Sequence, residues 1–454
     1  MAERLKKTLL YTYGVPDLFF SMMINMEVFF FAIFLTDYAG FSLTVVGQIL
    51  TVTSVIDIVC AVVGGVILQK VTLRFGGKYR SWFLIGPPLV APLIVLQFTK
   101  IGSNLTGALI IMFGFVASHL LFNVVFAASG SMLGRLSQLP EERTILSASR
   151  AQGFSASGLA FSVTAVPMIT FFGAHTDEMT GYTITIAFYA SMMVLGYWYI
   201  FKMTAGKDPY DEKVLNSAKK ESSPSVREIV ALVLRNPPLM YLILVFVFVS
   251  TSFMIISGMA AYYFTYVVGK PAYLSLFILG ISVARLIGTF AATWIGVKLG
   301  KRNSYWIFVS LAAVGLASAW FVRSDPRSYT LIFCFFIGLA SIAGSLNTAL
   351  FADTVVYGEW KTGQNIRAFT MGLMNFPIKI GVLIRSGVMA GGLMAIGFVA
   401  NADPTPRVIE GISSIMALAP AAAYAIAAIV FYFGYRIEDK DIVQMQEEIN
   451  ARTA

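Results

Sequence analysis

Charged residues are scarce in this sequence. Only 13% of its 454 residues are Asp, Glu, Lys or Arg, against about 25% in typical soluble domains. Hydrophobic residues make up 57% of the chain and aromatic residues 14%. So little charge excludes an ordinary water-soluble protein and predicts a polytopic membrane protein.

Cysteine is also rare, with two residues, Cys60 and Cys334, both inside apolar runs. Their positions exclude a disulfide framework. The sequence lacks a Ser/His/Asp set, a metal-spaced Cys/His cluster and a phosphate loop, so we expect no enzyme, no cofactor and no metal site. It also lacks a small-residue cleavage site after its basic start, MAERLKK, so we expect no removed signal peptide.

Long apolar runs occupy most of the remaining sequence. Twelve are long enough to cross a bilayer core about 30 Å thick, near residues 10–36, 43–69, 81–99, 104–133, 144–173, 180–202, 237–268, 272–297, 304–322, 328–352, 368–398 and 411–435. The polar stretch between the sixth and seventh runs cannot bury a core of its own. We predict an all-α membrane protein with a six-helix bundle at 1–203, a linker at 204–236, a second bundle at 237–436 and a tail at 437–454.

Basic residues lie mainly on one side of the membrane in this arrangement. The side that carries both termini has 24 Lys and Arg residues, and the other side has 5. By the positive-inside rule, the termini, the linker and the tail are expected to be cytoplasmic. This topology explains the net charge of +9 without a nucleic-acid partner. Short basic glycine turns at 73–86 and 297–309 also recur at corresponding places, which indicates a repeat of two six-helix halves.

Ionisable side chains inside membrane spans usually mark functional sites. Asp57 lies midway along the second span without another ionisable residue on that helix. We expect it to bind a cation or a proton, or else to form an ion pair with Lys379 or Arg150. His119 and Asn123 are four residues apart and share a helix face. His119 either carries a proton or is a neutral histidine bonded to a neighbouring helix.

Cations within the spans suggest an anionic ligand. Arg150 and Lys379 belong to opposite halves, and we expect them to face a central cavity, where they would hold an acidic group of the solute. The alternative is that Lys379 only balances Asp57. Arg285, in the eighth span, is a further cation without an assigned role.

The first span contains two carboxylates. Glu27 lies ten residues, about 15 Å, beyond Asp17, so the two are not expected to form one site. We expect Asp17 to cap a helix or to pair with a cation on the cytoplasmic side. Glu27 is expected to belong to a gate or to a salt bridge with Arg385.

Seven segments resemble the glycoside-pentoside-hexuronide:cation symporter family of the major facilitator superfamily. In chain order they are YGVPD (13–17), FLTDYAG (34–40), SVIDIV (54–59), RFGGKYRSW (74–82), EERTILSASRAQG (141–153), DTVVYGEWKTG (353–363) and TPRVIEGISSIMALAP (405–420). The resemblance implies the major facilitator fold, import of a sugar-like solute across a bacterial inner membrane, cation binding by Asp57, and cavity positions for Arg150 and Lys379.

Departures from the family pattern weaken a sodium site. Ala61 stands where sodium-using members place a second carboxylate, and Cys60 stands where an Asn is usual. Ser21 and Asn123 replace carboxylates that bind sugar in galactoside-transporting members. Na⁺ prefers several oxygen ligands, so we expect a proton rather than Na⁺ as the coupling ion. In the turn before the eleventh span, Arg367 stands where the family has a Glu.

We therefore predict a symporter that imports a glycoside, a uronide or a related sugar-like, anionic solute by alternating access. We predict three groups of residues: Asp57, His119 and Glu27 for coupling; Arg150, Lys379, Asn123, Asp17, Ser21 and Arg385 for the solute; and Asp353, Tyr357, Glu359 and Arg367 for a cytoplasmic gate. Two alternatives remain open, a transporter of an amphipathic or lipid-like anion and a receptor or sensor that transports nothing. The expected partners are the solute, the coupling proton and the lipid bilayer, and the chain is expected to be a monomer.

Overall fold

The structure, a computed structural model, describes residues 4–71, 76–137, 139–208, 234–363, 370 and 373–453. All regular elements within these residues are helical, and twelve of the helices are long and apolar enough to cross a membrane. This confirms the predicted all-α architecture with twelve spans. The chain divides into two compact units, Met1–Ser222 with Leu274–Leu276 and Ser223–Tyr273 with Phe277–Ala454. The limits proposed for the bundles, linker and tail stay predictions.

The described part of the first unit contains seven α-helices, and the first two together form one span. They are α1 (Lys7–Thr12), α2 (Val15–Ile33), α3 (Leu43–Lys70), α4 (Arg80–Gln97), α5 (Asn104–Leu136), α6 (Pro140–His175) and α7 (Glu178–Met203). The second unit, where described, contains seven more. They are α8 (Pro237–Tyr262), α9 (Tyr273–Leu299), α10 (Lys301–Ala319), α11 (Pro326–Thr362), α12 (Phe376–Ala395), α13 (Pro406–Gly434) and α14 (Asp439–Thr453).

Short polar residues begin several of these helices. Their side-chain oxygen accepts a backbone N–H from the first helical turn, and such a cap stabilises a helix by about 1 kcal/mol. The six residues are Ser42, Ser103, Asp177, Asn236, Asp325 and Thr405. The apolar run then continues each helix, because its backbone groups must be satisfied internally within lipid.

The same pairs of helices pack together in both units. In the first unit α2 packs on α6 and α7, and α4 packs on α5 and α7. In the second unit α8 packs on α12 and α13, and α10 packs on α11 and α13. Each pair in one unit has its counterpart six spans later, so the two halves repeat one packing scheme.

The first span of each half also ends in the same way. α2 continues into a π-helical turn, Phe34–Tyr38, and α8 continues into Tyr263–Val267. A glycine with positive φ follows each turn, Gly40 at 65° and Gly269 at 66°. Glycine suits this position because a side chain is strained in the left-handed region. The sequence analysis did not predict these π-helical turns.

The basic turns form a second pair of matching structures. Gly77 and Gly300 both have positive φ, at 102° and 77°, and each carbonyl accepts the hydroxyl of the serine four residues later. Asp208 accepts the backbone N–H groups of Tyr79 and Arg80 at 2.7 and 3.0 Å. In the other half, Asp439 accepts the N–H of Lys301 at 3.4 Å. In both halves, therefore, an acid that follows the sixth span caps the start of the third span.

Candidate functional site

The candidate coupling residues meet in one cluster inside the first unit. The His119 ring, on α5, has Nδ1 at 2.9 Å from Asp57 Oδ1 on α3 and Nε2 at 2.9 Å from Glu27 Oε2 on α2. All three side chains are nearly buried, with exposed fractions of 8% for His119 and 13% for each carboxylate. One imidazole thus joins carboxylates from two other helices. The sequence singled out these residues but did not place them in contact.

Aromatic rings on α5 hold the imidazole in place. Phe115, one turn earlier, stacks on the His119 ring with centroids 4.0 Å apart, and Phe122 meets it edge-on at 5.7 Å. One alternative from the sequence analysis was a histidine bonded to a neighbouring helix. That bond is present at both ring nitrogens, and the partners are carboxylates. Because the rings exclude water, the electrostatic interactions in this cluster are stronger than they would be at the protein surface.

Two proposed solute ligands lie in the same unit. The Asn123 amide donates to the His119 carbonyl at 2.7 Å. A Cβ added at Gly64 would lie 2.9 Å from the Asn123 Cβ, so α3 and α5 are in close contact there. Ser21 accepts a hydrogen bond from Ser157 at 2.8 Å. Asn123 therefore belongs to the surroundings of the histidine cluster, while Ser21 joins α2 to α6.

Asp17 and Arg150 form a separate ion pair. The Arg150 Nε and Nη2 groups donate to the two oxygens of Asp17, each at 2.9 Å. The exposed fraction is 13% for the Arg150 side chain and 1% for the Asp17 side chain. The two parallel bonds that the sequence assigned to a ligand carboxylate are made in this structure by a carboxylate of the chain itself. Asp17 thus has the cation partner expected for it, and it is separate from the Glu27 cluster.

The second unit holds the other two candidate cations, both on α12. Lys379 is half-buried in the first turn of the helix, where a cation is opposed by the helix dipole. Arg385 is 5% exposed, and its Nε lies 3.3 Å from the Met389 sulfur. A Cβ added at Gly258 of α8 would lie 2.6 Å from that Nε. A larger residue at this position would displace the guanidinium from where it lies in this structure.

The predicted gate residues lie at the end of α11. Asp353 forms an ion pair with Lys301, with Nζ 2.6 Å from Oδ2, and Lys301 also lies 3.1 Å from Asp439. Tyr357 lies under the ammonium of Lys361, 5.6 Å from ring centroid to Nζ. Glu359 is half-buried, and its backbone carbonyl accepts the N–H of Gly363, the residue that follows the helix. Arg367 lies outside the described residues.

The tail forms a helix, α14, which the sequence analysis did not predict. The Trp360 indole donates to Glu448 at 2.6 Å, and Arg452 donates to the Trp360 carbonyl at 2.7 Å. The hydrogen bond from Trp360 holds the pKa of Glu448 below its ordinary value. α14 is therefore fastened to the end of α11.

Asp208 is a buried acid with a structural role that the sequence analysis did not single out, because the polar composition around it assigned it to the linker. It is 2% exposed, caps α4 and lies 3.5 Å from Arg135. Gly77 was the sequence signal for this contact. A Cβ at Gly77 would overlap the Asp208 backbone, so the close approach requires a glycine.

A family model described as MFS/sugar transport protein matches residues 12–439. The chain belongs to this family. The match confirms the resemblance to glycoside-pentoside-hexuronide symporters that the seven segments indicated. It covers both units, so the family's fold extends over nearly the whole chain.

Individual known proteins are similar to the chain over nearly its full length. A glucuronide carrier protein homolog of Escherichia coli (strain K12) is 27% identical over 100% of this chain and 97% of that protein. A putative sulfoquinovose importer of the same organism is 26% identical over 97% of this chain and 93% of that one. The crystal structure of a D-xylose-proton symporter superposes with a TM-score of 0.67 at 14% identity, over 94% of this chain and 97% of that chain.

These findings confirm the fold and the broad class of function. The chain has the major facilitator fold and is a multi-pass membrane transport protein of a sugar-transporting family, not an enzyme.

Proposed function

We propose that the chain imports an acidic, sugar-like solute together with a proton, and that His119, Asp57 and Glu27 form the coupling site. The observation that carries this proposal is the single imidazole held at 2.9 Å by carboxylates from two different helices. Histidine is a common proton donor and acceptor in proteins, and this one links carboxylates of two other helices through both ring nitrogens.

The number of protons in the cluster follows from its geometry. An ionised carboxylate only accepts hydrogen bonds, and a neutral imidazole donates from one nitrogen only. Bonds at both ring nitrogens therefore require two protons, shared as an imidazolium or as a neutral ring beside one carboxyl group. Either arrangement carries one negative charge. Loss of one proton leaves a bare ring nitrogen facing a carboxylate oxygen, and that contact is repulsive.

This repulsion supplies a coupling mechanism. When the cluster loses a proton, the packing of α5 against α2 or α3 is weakened, because one of the two hydrogen bonds of the imidazole is lost. Protonation thus biases the packing of three helices in the first unit. A transporter reorients when ligands shift such an equilibrium between two packings. We propose that the solute and the proton act on this same equilibrium.

A proton accounts for the site better than Na⁺ does. Oxygen atoms of Asp57 and Glu27 already form hydrogen bonds with an imidazole, which offers no oxygen ligand to a metal ion. Ala61 and Cys60, next on α3, add no carboxylate, and hard cations prefer several oxygen ligands. The imidazole takes the place of a bound cation between the two carboxylates.

The names of the relatives support an acidic sugar as the solute. One is a glucuronide carrier homolog and another a putative sulfoquinovose importer. We further propose that Arg150, Lys379, Asn123, Asp17, Ser21 and Arg385 contribute to the solute pathway, and that Asp353, Tyr357, Glu359 and Arg367 contribute to a cytoplasmic gate. We propose a monomer in a bacterial inner membrane with both termini in the cytoplasm.

Uptake into proteoliposomes tests the function. We expect a radiolabelled glucuronide to accumulate when the inside is alkaline, and to accumulate equally when choline replaces Na⁺ at matched pH. A strict Na⁺ requirement would defeat the proton proposal. A thermal-shift screen against neutral sugars, uronides and lysolipids tests the solute class, because a bound ligand stabilises the folded state. Stabilisation by lysolipids alone would instead favour the lipid-like anion.

A further inference from the structure

Arg285 occupies an unusual position on α9. The helix spans Tyr273–Leu299, so this arginine lies near its midpoint. Exposed apolar side chains form one stripe along α9, with Val283, Ile287, Phe290 and Trp294 at helical spacing. Arg285 lies two residues from Val283, about 200° around the helix. It therefore faces away from the stripe that suits lipid.

Apolar residues near Arg285 on the same face of α9 are buried. Ile278, Ile281 and Ala292 lie on the same side of α9 and are at most 3% exposed, yet Arg285 is exposed. An exposed side chain on the protein-facing side of a membrane helix lies in a recess of the protein, not in lipid. A charged residue at this depth is tolerated where water or a polar ligand reaches it.

Hydroxyl groups continue the polar surface beside it. Thr289, one turn after Arg285, is exposed and accepts a hydrogen bond from Ser345 of α11 at 3.3 Å. Ser341, one turn before Ser345, donates to the Arg285 carbonyl at 3.0 Å. These four residues form a strip, here called the α9–α11 strip, with one guanidinium and three hydroxyls. Hydroxyl groups at this spacing suit a polyhydroxylated ligand.

The guanidinium of Arg285 has an aromatic contact and no carboxylate partner among the residues that the structure describes. Its Cζ lies 4.5 Å from the ring centroid of Phe253 on α8. Arg150, in contrast, is held by Asp17 through two bonds. The ring of Phe253 orients one face of Arg285 and leaves its N–H groups available.

We infer that Arg285 binds the acidic group of the transported solute, a carboxylate or a sulfonate, while the hydroxyls of the α9–α11 strip contact its sugar hydroxyls. This inference rests on the proposed function and assigns the acid-recognising residue within it. The planar guanidinium matches both anions, because either one accepts two parallel N–H bonds. Phe253 adds a cation–π contact that keeps the guanidinium oriented when the site is empty.

Binding to the purified protein tests the assignment. The probes are phenyl glucuronide, a sulfonated glucoside and uncharged phenyl glucoside, measured by calorimetry with the parent, Arg285→Gln and Arg285→Lys. We expect Arg285→Gln to weaken binding of one or both acidic probes about 100-fold and to leave phenyl glucoside unchanged. Arg285→Lys should recover part of the loss, because lysine keeps the positive charge but cannot donate two parallel N–H bonds. The matched control is Arg323→Gln, which removes an arginine paired with exposed Glu410.

The outcomes separate the assignment of Arg285 from the proposed transport function. Equal binding of the acidic probes by the parent and by Arg285→Gln would overturn the role of Arg285 and leave the transport function standing. Equal loss of all three probes in Arg285→Gln, with a lowered melting temperature, would make the residue structural and also overturn the assignment. A parent protein that binds none of the sugars would refute the proposed function and this subsite together. The acidic probe that loses affinity in Arg285→Gln indicates whether the site binds a carboxylate or a sulfonate.

Discussion

Asp57→Asn is the most decisive change in the histidine cluster, because it removes a charge and keeps the shape. The amide oxygen of the new side chain can still accept the bond that His119 Nδ1 makes to Asp57 at 2.9 Å. Hydrogen bonds to charged groups contribute about 1.5–3 kcal/mol and neutral ones about 0.5–1.5 kcal/mol. The exchange should therefore cost about 1 kcal/mol and lower the melting temperature by no more than about 3 °C.

The expected functional result is uncoupling. The variant keeps the bond between Glu27 and the imidazole, but its cluster no longer needs to exchange a proton to keep α3 and α5 together. In proteoliposomes it should retain solute counterflow and lose accumulation driven by a pH gradient. Glu410→Gln is the matched control, because it neutralises an exposed carboxylate of a surface pair, which contributes at most about 1 kcal/mol.

Two results would refute this reasoning. Accumulation at the parent level by Asp57→Asn would remove Asp57 from coupling and leave Glu27 or His119 as the candidate. Loss of counterflow together with a stability loss of about 3–5 kcal/mol would indicate a structural ion pair. Rescue by Lys379→Met would then identify Lys379 as the cation that Asp57 balances.

The remaining predictions concern other parts of the chain. Arg150→Ala and Lys379→Ala should each abolish uptake while immunoblots of membranes show normal protein; full transport by either one removes that residue from the solute pathway. If Arg150 serves only to balance Asp17, neutralising both residues together should restore uptake that the Arg150 change alone abolishes. A cysteine at Ser217 should react with an impermeant maleimide only after cells are permeabilised, and labelling of intact cells would reverse the topology. The lowered pKa of Glu448 means that docking of α14 is stable above the ordinary glutamate pKa and weakens as pH falls through the lowered value. The protection of α14 amides from hydrogen exchange, relative to their intrinsic rates, should therefore fall in acid, and Glu448→Gln should remove that dependence.

The sequence predicted the spans well and the contacts between spans poorly. Hydropathy locates a membrane helix because its whole length must be apolar, and all twelve spans were found in this way. Spacing also placed His119 and Asn123 on one face of α5. It did not indicate that the face meets α2 and α3, because that depends on how the helices pack.

Two other features were beyond sequence reasoning for physical reasons. The π-helical turns that end α2 and α8 arise from a local choice of hydrogen bonds, and the apolar sequence does not distinguish that choice from a regular helix. Asp208 was assigned to the linker because its neighbours are polar. Composition describes a segment as a whole, whereas burial is decided for single residues, here by a glycine that leaves room for the Asp208 backbone.

Asp208 and Asp439, the acids that follow α7 and α13, bear on the order in which the two halves can fold. Asp208 bonds to the start of α4 inside its own half, so this contact requires no residue of the second half. The first half can thus fasten its third and sixth spans before any of the second half has entered the membrane. In the second half, Asp439 makes the corresponding contact with the start of α10.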